Sequence, residues 1–189
     1  MTSLGLSQRQ YQKKTATNRL GLWLFFISDS FMFGGLIISR FYLLGDQKLD
    51  LNQFLGLMVT AILLTSSFFM NRAEVMVSQG NRKGFIRSLI ITILLGITFL
   101  VGVIGVEWAD APFGPADGAQ GAVFYMLTGM HAFHVLTGIL FLLVTLRNGL
   151  KNKFSSEKHY MVEAAANYWH FVDVVWIIVY PVLYLMGTF

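Results

Sequence analysis

Five apolar runs, at residues 20–44, 51–70, 86–106, 121–146 and 164–186, are each long enough to cross the roughly 30 Å hydrocarbon layer of a bilayer as a helix. In lipid every backbone N–H and C=O must find its partner within the protein, so each run predicts an α-helix. The expected fold is all-α: a polytopic membrane bundle of five transmembrane helices. Composition agrees, because 55% of the 189 residues are hydrophobic and 13% are charged, too few charges for a soluble surface. The five helices and their loops use up the chain, which predicts one transmembrane domain over residues 20–189, preceded by a basic N-terminal tail, 1–19. That tail lacks the short apolar core and small-residue cleavage site of a signal peptide and is expected to be retained.

The basic residues carry a topology signal. Lys and Arg number four before the first run, two around the connection of runs 1 and 2, and four between runs 2 and 3. None lies between runs 3 and 4, four lie between 4 and 5, and none follows, so alternate sides carry twelve and two. The positive-inside rule then predicts a cytoplasmic N-terminus, an outer C-terminus and an outward-facing loop at residues 107–120, with Asp110 and Asp117. The net charge of +4 forms no patch interleaved with aromatics, so no nucleic-acid partner is expected. Absence of cysteine rules out disulfides and thiolate ligands, leaving histidine and carboxylate for any metal. Trp23, Trp108, Trp169 and Trp176, with Tyr42, Tyr125, Tyr168 and Tyr184, fall mostly toward run ends, where interfacial anchoring is the expectation. Gly34, Gly35, Gly96, Gly102, Gly105, Gly129 and Gly138 suit close helix approach.

Ionisable side chains inside the runs are costly, at least about 2.5 kcal/mol for an Asp at a helix centre, and require a partner. Asp29, between Ser28 and Ser30, is the deepest acid and reads either as a structural hydrogen-bonding group or as part of a proton pathway or lipid contact. His131 and His134 share one helix face at i, i+3 spacing, as do His170 and Asp173. His134 and His170 fall at similar depths and are placed to face each other, which admits a ligand set for b-type haem or a metal. The alternative is imidazoles hydrogen-bonded across helices, to Asp173 or a hydroxyl, that fix which faces meet. The Glu-x-x-His pattern of carboxylate-bridged di-iron bundles is absent. Glu163 opens the last run, where a carboxylate complements the helix N-terminus, and Ala164, Ala165 and Ala166 permit tight packing. An autonomous haem- or metal-binding membrane protein and a small transporter coupled through Asp29 remain as rivals. The transporter favours a helix broken at mid-membrane, whereas Pro112, Pro115 and Pro181 avoid the run centres.

The stretch EAAANYWHFVDVVW, Glu163 to Trp176, resembles the C-terminal signature of subunit III of haem-copper terminal oxidases. TGMHAFHVLTG (Thr128 to Gly138), GVEWADAPFGPADGAQGAVFY (Gly105 to Tyr125) and GLWLFFISDSFMFGG (Gly21 to Gly35) are similar to that family in the same order. Asp29 stands where the family usually has Glu, and quinol-oxidase members also carry Asp there. The chain resembles the five-helix bacterial form, without the two leading helices of seven-helix members. The resemblance implies an accessory subunit with no catalytic, cofactor or metal site of its own, haem and copper being held by partner subunits. It also implies packing beside the catalytic subunit I, with subunits II and IV, in a bacterial plasma membrane, and bound phospholipid. Cytochrome c oxidase is the expected parent complex and quinol oxidase the alternative. Asp29, His131, His134, Glu163, His170 and Asp173 then form an intramembrane polar set for lipid contact, proton support or helix orientation.

Overall fold

The computed structural model describes residues 3–155 and 159–187, with backbone alone at residues 3–12 and 14. Met1 and Thr2 of the expected tail, Lys158 of the charge count and the last two residues lie outside the described residues. These contain five long helices, all apolar enough to span a membrane, and no strand. Helix α1 is Ser3–Leu44, with its apolar part at Thr15–Leu44. Helix α2 is Gln53–Ser78, α3 Arg82–Asp110, α4 Gly118–Leu150 and α5 Tyr160–Leu185.

Helix limits lie a few residues beyond several of the apolar runs, because a helix continues until its end groups are capped rather than until its side chains turn polar. Gly45 ends α1 with a left-handed φ of 53°, a conformation that glycine adopts without steric cost. Asn52 and Asn81 begin α2 and α3 by accepting hydrogen bonds from the Leu55 and Gly84 amides, at 3.2 and 3.0 Å, as N-cap side chains do. Two segments are wound as π-helix: Val101–Glu107 within α3 and Pro181–Leu185 at the end of α5. At the second, Pro181 has no N–H to donate, and the Met186 amide reaches back to the Pro181 carbonyl at 3.0 Å.

Because lipid is as apolar as their side chains, the helices are drawn together by close packing and interhelical hydrogen bonds. α2 packs on α3 and α5, and α4 packs on the same two, so these four close a ring; α1 lies outside it against α4 and α5. Trp169 of α5 is fully buried on the axis of that ring. Its indole fills space left by Gly96 of α3 and Gly138 of α4, where an added Cβ would meet the ring at 2.6 and 3.1 Å. Its N–H donates to Ser66 Oγ of α2 at 3.0 Å. Two turns on, Trp176 repeats the pattern, donating to Thr60 Oγ1 at 2.9 Å and meeting Phe99 edge-on at 4.9 Å.

These contacts correct the expectation of interfacial anchoring for Trp169 and Trp176: a Ser or Thr hydroxyl on α2 satisfies each indole N–H, which removes the need for headgroup water. Trp23 remains 64% exposed. Gly96, Gly102 and Gly138 receive neighbours as expected, Gly102 taking Val59. Gly34 and Gly35 have open space around them within the described residues. Trp169→Ala is expected to cost about 2–4 kcal/mol in reversible detergent-induced unfolding, toward the lower part of the soluble-core range because lipid supplies no hydrophobic transfer term. Trp23→Ala should change the same transition by no more than about 0.5 kcal/mol.

Candidate functional site

The polar residues fall into separate contacts, of which the Asp29–His134 pair joins α1 to α4. A carboxylate in α1 and an imidazole in α4, both set in apolar helix, can lower their cost only by meeting. His134 Nε2 lies 3.0 Å from Asp29 Oδ2, a charge contact rather than an aligned hydrogen bond. The other ring nitrogen, Nδ1, donates to the Met130 carbonyl at 2.8 Å, which fixes the ring so that Nε2 faces the acid. Phe33 covers the ring at 5.2 Å. Thr137 and Tyr168 close the α4–α5 side: their hydroxyls share a hydrogen bond at 2.7 Å, and the His134 carbonyl lies 2.9 and 3.3 Å from them to accept from the other.

His131, one turn before His134, has a different environment. Its ring is fully buried against Trp176 at 4.8 Å, Phe99 at 5.6 Å and Phe33 at 6.5 Å. Neither nitrogen meets a protein hydrogen-bonding partner. The cross-helix hydrogen bond expected of it is absent because aromatic rings of α1, α3 and α5 occupy the positions a polar partner would need.

His170 does take a hydroxyl, as one of the two expectations had it: Nδ1 is 2.7 Å from Ser67 Oγ of α2. Asp173 Oδ2 lies 3.8 Å from the same nitrogen. A serine–histidine–carboxylate relay needs its two partners on opposite ring nitrogens, which is not the arrangement around His170 Nδ1. His134 and His170 take partners on different helices and offer no facing pair of free nitrogens to an iron. Among the described residues no group of three or more His, Asp or Glu is placed to hold a metal ion.

Glu163, on the first turn of α5, does more than complement the helix end. It accepts a two-pronged contact from the Arg19 guanidinium of α1, at 2.7 and 3.0 Å. Between this pair and Asp29, an apolar groove of about 330 Å³ runs between α1 and α5, with Trp23, Phe26 and Ile27 on one wall and His170, Phe171 and Val174 on the other.

Two functional-looking residues escaped the sequence reading. Arg40, read there as a topology charge, is buried and donates to the carbonyls of Gly45, Gln47 and Met186 at 2.7, 3.2 and 2.9 Å. It thereby joins the end of α1 to the end of α5. Glu107, assigned to an outward loop, is a buried residue of α3. The available signal for Arg40 was its place within an apolar run, one turn before Gly45; for Glu107 it was the unbroken apolar stretch leading up to it.

The Asp29–His134 contact predicts thermodynamic coupling. A double-mutant cycle with Asp29→Asn and His134→Gln, read by detergent unfolding, should give an interaction energy of about 1–3 kcal/mol, as for residues in direct polar contact. The same cycle between Asp29 and His131 should give a smaller one, below about 0.5 kcal/mol.

The profile of the family described as Cytochrome c oxidase subunit III matches residues 6–188. Cytochrome c oxidase subunit 3 of Gadus morhua is 46% identical over 132 residues, 70% of this chain and 50% of that protein. The proteins of that name from Cyprinus carpio and Oncorhynchus mykiss are each 44% identical over the same length, with the same shares. The chain thus spans about half the length of the curated relatives it matches. A match over almost the whole chain, together with a bundle of five helices apolar enough to span a membrane, makes this protein a member of the cytochrome c oxidase subunit III family.

Proposed function

We propose that the chain is the non-redox accessory subunit III of a proton-pumping haem-copper oxygen reductase, most directly cytochrome c oxidase, in aerobic electron transport. The observation that carries this reading is the family match over residues 6–188. In this reading haem and copper sit in partner subunits, the catalytic subunit I and subunit II, with subunit IV completing the complex; the electron donor binds elsewhere. That leaves quinol oxidase as the second parent, favoured by Asp29 at the position where quinol-oxidase members also carry Asp.

The tasks assigned to this chain's own residues follow from their contacts. Asp29 and His134 place a carboxylate against an imidazole between α1 and α4, which suits support of proton uptake by the catalytic subunit. His170, Asp173 and Ser67 keep α5 in register with α2. The groove beside Trp23 and Phe171 offers an apolar wall to a lipid chain, and the Arg19–Glu163 pair lies at the level of the start of α5. His131, set among Trp176, Phe99 and Phe33, orients the helices.

Orientation follows the charges. The start of the apolar part of α1, the α2–α3 connection and the α4–α5 connection lie on one face, with Arg19, Arg82, Lys83, Arg147, Lys151 and Lys153 among their residues. The positive-inside rule assigns that face to the cytoplasm, in a bacterial plasma membrane.

Mild-detergent purification of the tagged full chain from its native membrane tests the assignment. A haem-bearing oxidase subunit should accompany it, visible in the optical spectrum and by mass spectrometry; a lone chain with its own haem or metal would overturn the reading. Within the complex, Asp29→Asn should leave the initial turnover rate close to wild type and shorten the active lifetime during continuous turnover several-fold. Unchanged rate, proton pumping and lifetime would leave Asp29 a structural role alone.

A further inference from the structure

The groove between α1 and α5 opens outward from the bundle, with Trp23, Ile27 and Val174 of its walls each more than half exposed. Its volume, about 330 Å³, is within the range of small-molecule sites. Its floor is aromatic: Phe26 and Phe171 stack at 4.8 Å, and Trp23 meets Phe26 edge-on at 5.9 Å. Set among these rings are two polar side chains of α5, Asn167 and His170, at the i, i+3 spacing that puts them on one helix face. They lie about 6 and 10 Å along the helix axis from Glu163, deeper in the bundle than the Arg19–Glu163 pair.

Both carry unused hydrogen-bonding capacity. Asn167 is exposed, and among the described residues its amide meets no protein partner. His170 shares Nδ1 with Ser67 Oγ at 2.7 Å, with Asp173 3.8 Å from the same nitrogen, while Nε2 meets no partner among the described residues. Ser30, the other polar residue of the lining, is committed to the Phe26 carbonyl at 2.7 Å. An amide and an imidazole nitrogen on a lipid-spanning face are costly unless a ligand hydrogen-bonds them. No Lys or Arg lines the groove, and Arg19, beyond its end, is committed to Glu163. A phosphate would enter it without a counter-charge, whereas an uncharged head group needs only the two hydrogen bonds.

We propose that the groove binds the head group of an isoprenoid quinone or its quinol, with the tail along the outer apolar faces of α1 and α5. Asn167 both donates and accepts. His170 suits either redox form. With Ser67 donating to Nδ1, the protonated Nε2 donates to a quinone carbonyl; with Nδ1 donating to Ser67, Nε2 accepts from a quinol hydroxyl. The flat ring packs on Trp23 and Phe171 as offset aromatic rings do. This assignment rests on the groove being a wall for a lipid chain, and names the head group that wall receives; it does not depend on which oxidase the chain serves.

The test is photolabelling of the full chain in phosphatidylcholine nanodiscs with an azido-benzoquinone carrying a decyl tail. Saturable labelling at one site per chain is expected, mapped by peptide mass spectrometry to residues 23–30 or 167–174 and competed by decylubiquinone but not by phosphatidylglycerol. Asn167→Leu keeps the apolar wall and removes one hydrogen bond, so it should weaken labelling about three- to tenfold, with Asn167→Gln retaining part of it. Leu140→Val, exposed on α4 outside the groove lining, should label as wild type does. Asn167 is exposed, so its variants should fold, which circular dichroism checks; Trp23→Ala, also at an exposed position, is the second variant and should weaken labelling as well. Wild-type labelling in folded Asn167→Leu, or displacement by phosphatidylglycerol as readily as by decylubiquinone, overturns the quinone assignment and leaves the groove to lipid chains. No saturable labelling overturns it too; native mass spectrometry then separates the two readings, a bound phospholipid keeping the lipid wall and a bare chain removing both.

Discussion

The indole of Trp169 is the contact on which the bundle closes. A helix in lipid gains little by touching another helix unless the two surfaces interlock or exchange hydrogen bonds, and Trp169 does both with three neighbours at once. Its ring lies over Gly96 of α3 and Gly138 of α4, and its N–H reaches Ser66 of α2. The glycines are needed because the ring is large, and the serine because the N–H is buried. Trp176, seven residues later, carries the same logic along the axis through Thr60, Phe99 and His131. Four helices thereby share one register, and the polar residues of α4 and α5 acquire fixed positions.

α1 is held in another way. It is the least buried of the five helices, and aromatic contacts such as Phe26 on Phe171, stacked at 4.8 Å, cover only part of its inward face. Polar contacts attach it at three heights: Arg19 to Glu163, Asp29 to His134, and Arg40 to the carbonyl of Met186. The outer two are not equivalent. Arg19 is half exposed and such a pair contributes up to about 1 kcal/mol, whereas Arg40 is buried and donates through its two terminal nitrogens to three carbonyls. The central pair joins two mostly buried ionisable side chains, and the proposed proton role falls on it.

Much of this was legible in the sequence, and the limits were physical. Spans are visible because lipid demands long apolar helices; the motifs around Asp29, His131 and His170 are visible because their residue types are out of place in lipid. Side-chain direction is not visible. Trp169 and Trp176 look like interfacial residues until Ser66 and Thr60 on another helix are found to satisfy their N–H groups. His131 and His134 share a face and a spacing, yet one meets an acid and the other only rings, since three residues along a helix is enough to change neighbours. Glu107 reads as a loop residue because a lone acid at the end of an apolar run looks like the water boundary, and only the fold shows Tyr184 beside it.

On the proposed function the redox chemistry lies in neighbouring subunits, and this chain contributes the packed polar contacts described above. The most direct measurement is the electron cryo-microscopy structure of the purified complex in lipid nanodiscs. The account predicts this five-helix bundle packed against a haem-bearing subunit, with Asp29 and His134 in contact and the space around His131 filled by Trp176 and Phe99. A haem or metal ligated by His131, His134 or His170 within the bundle itself would contradict it.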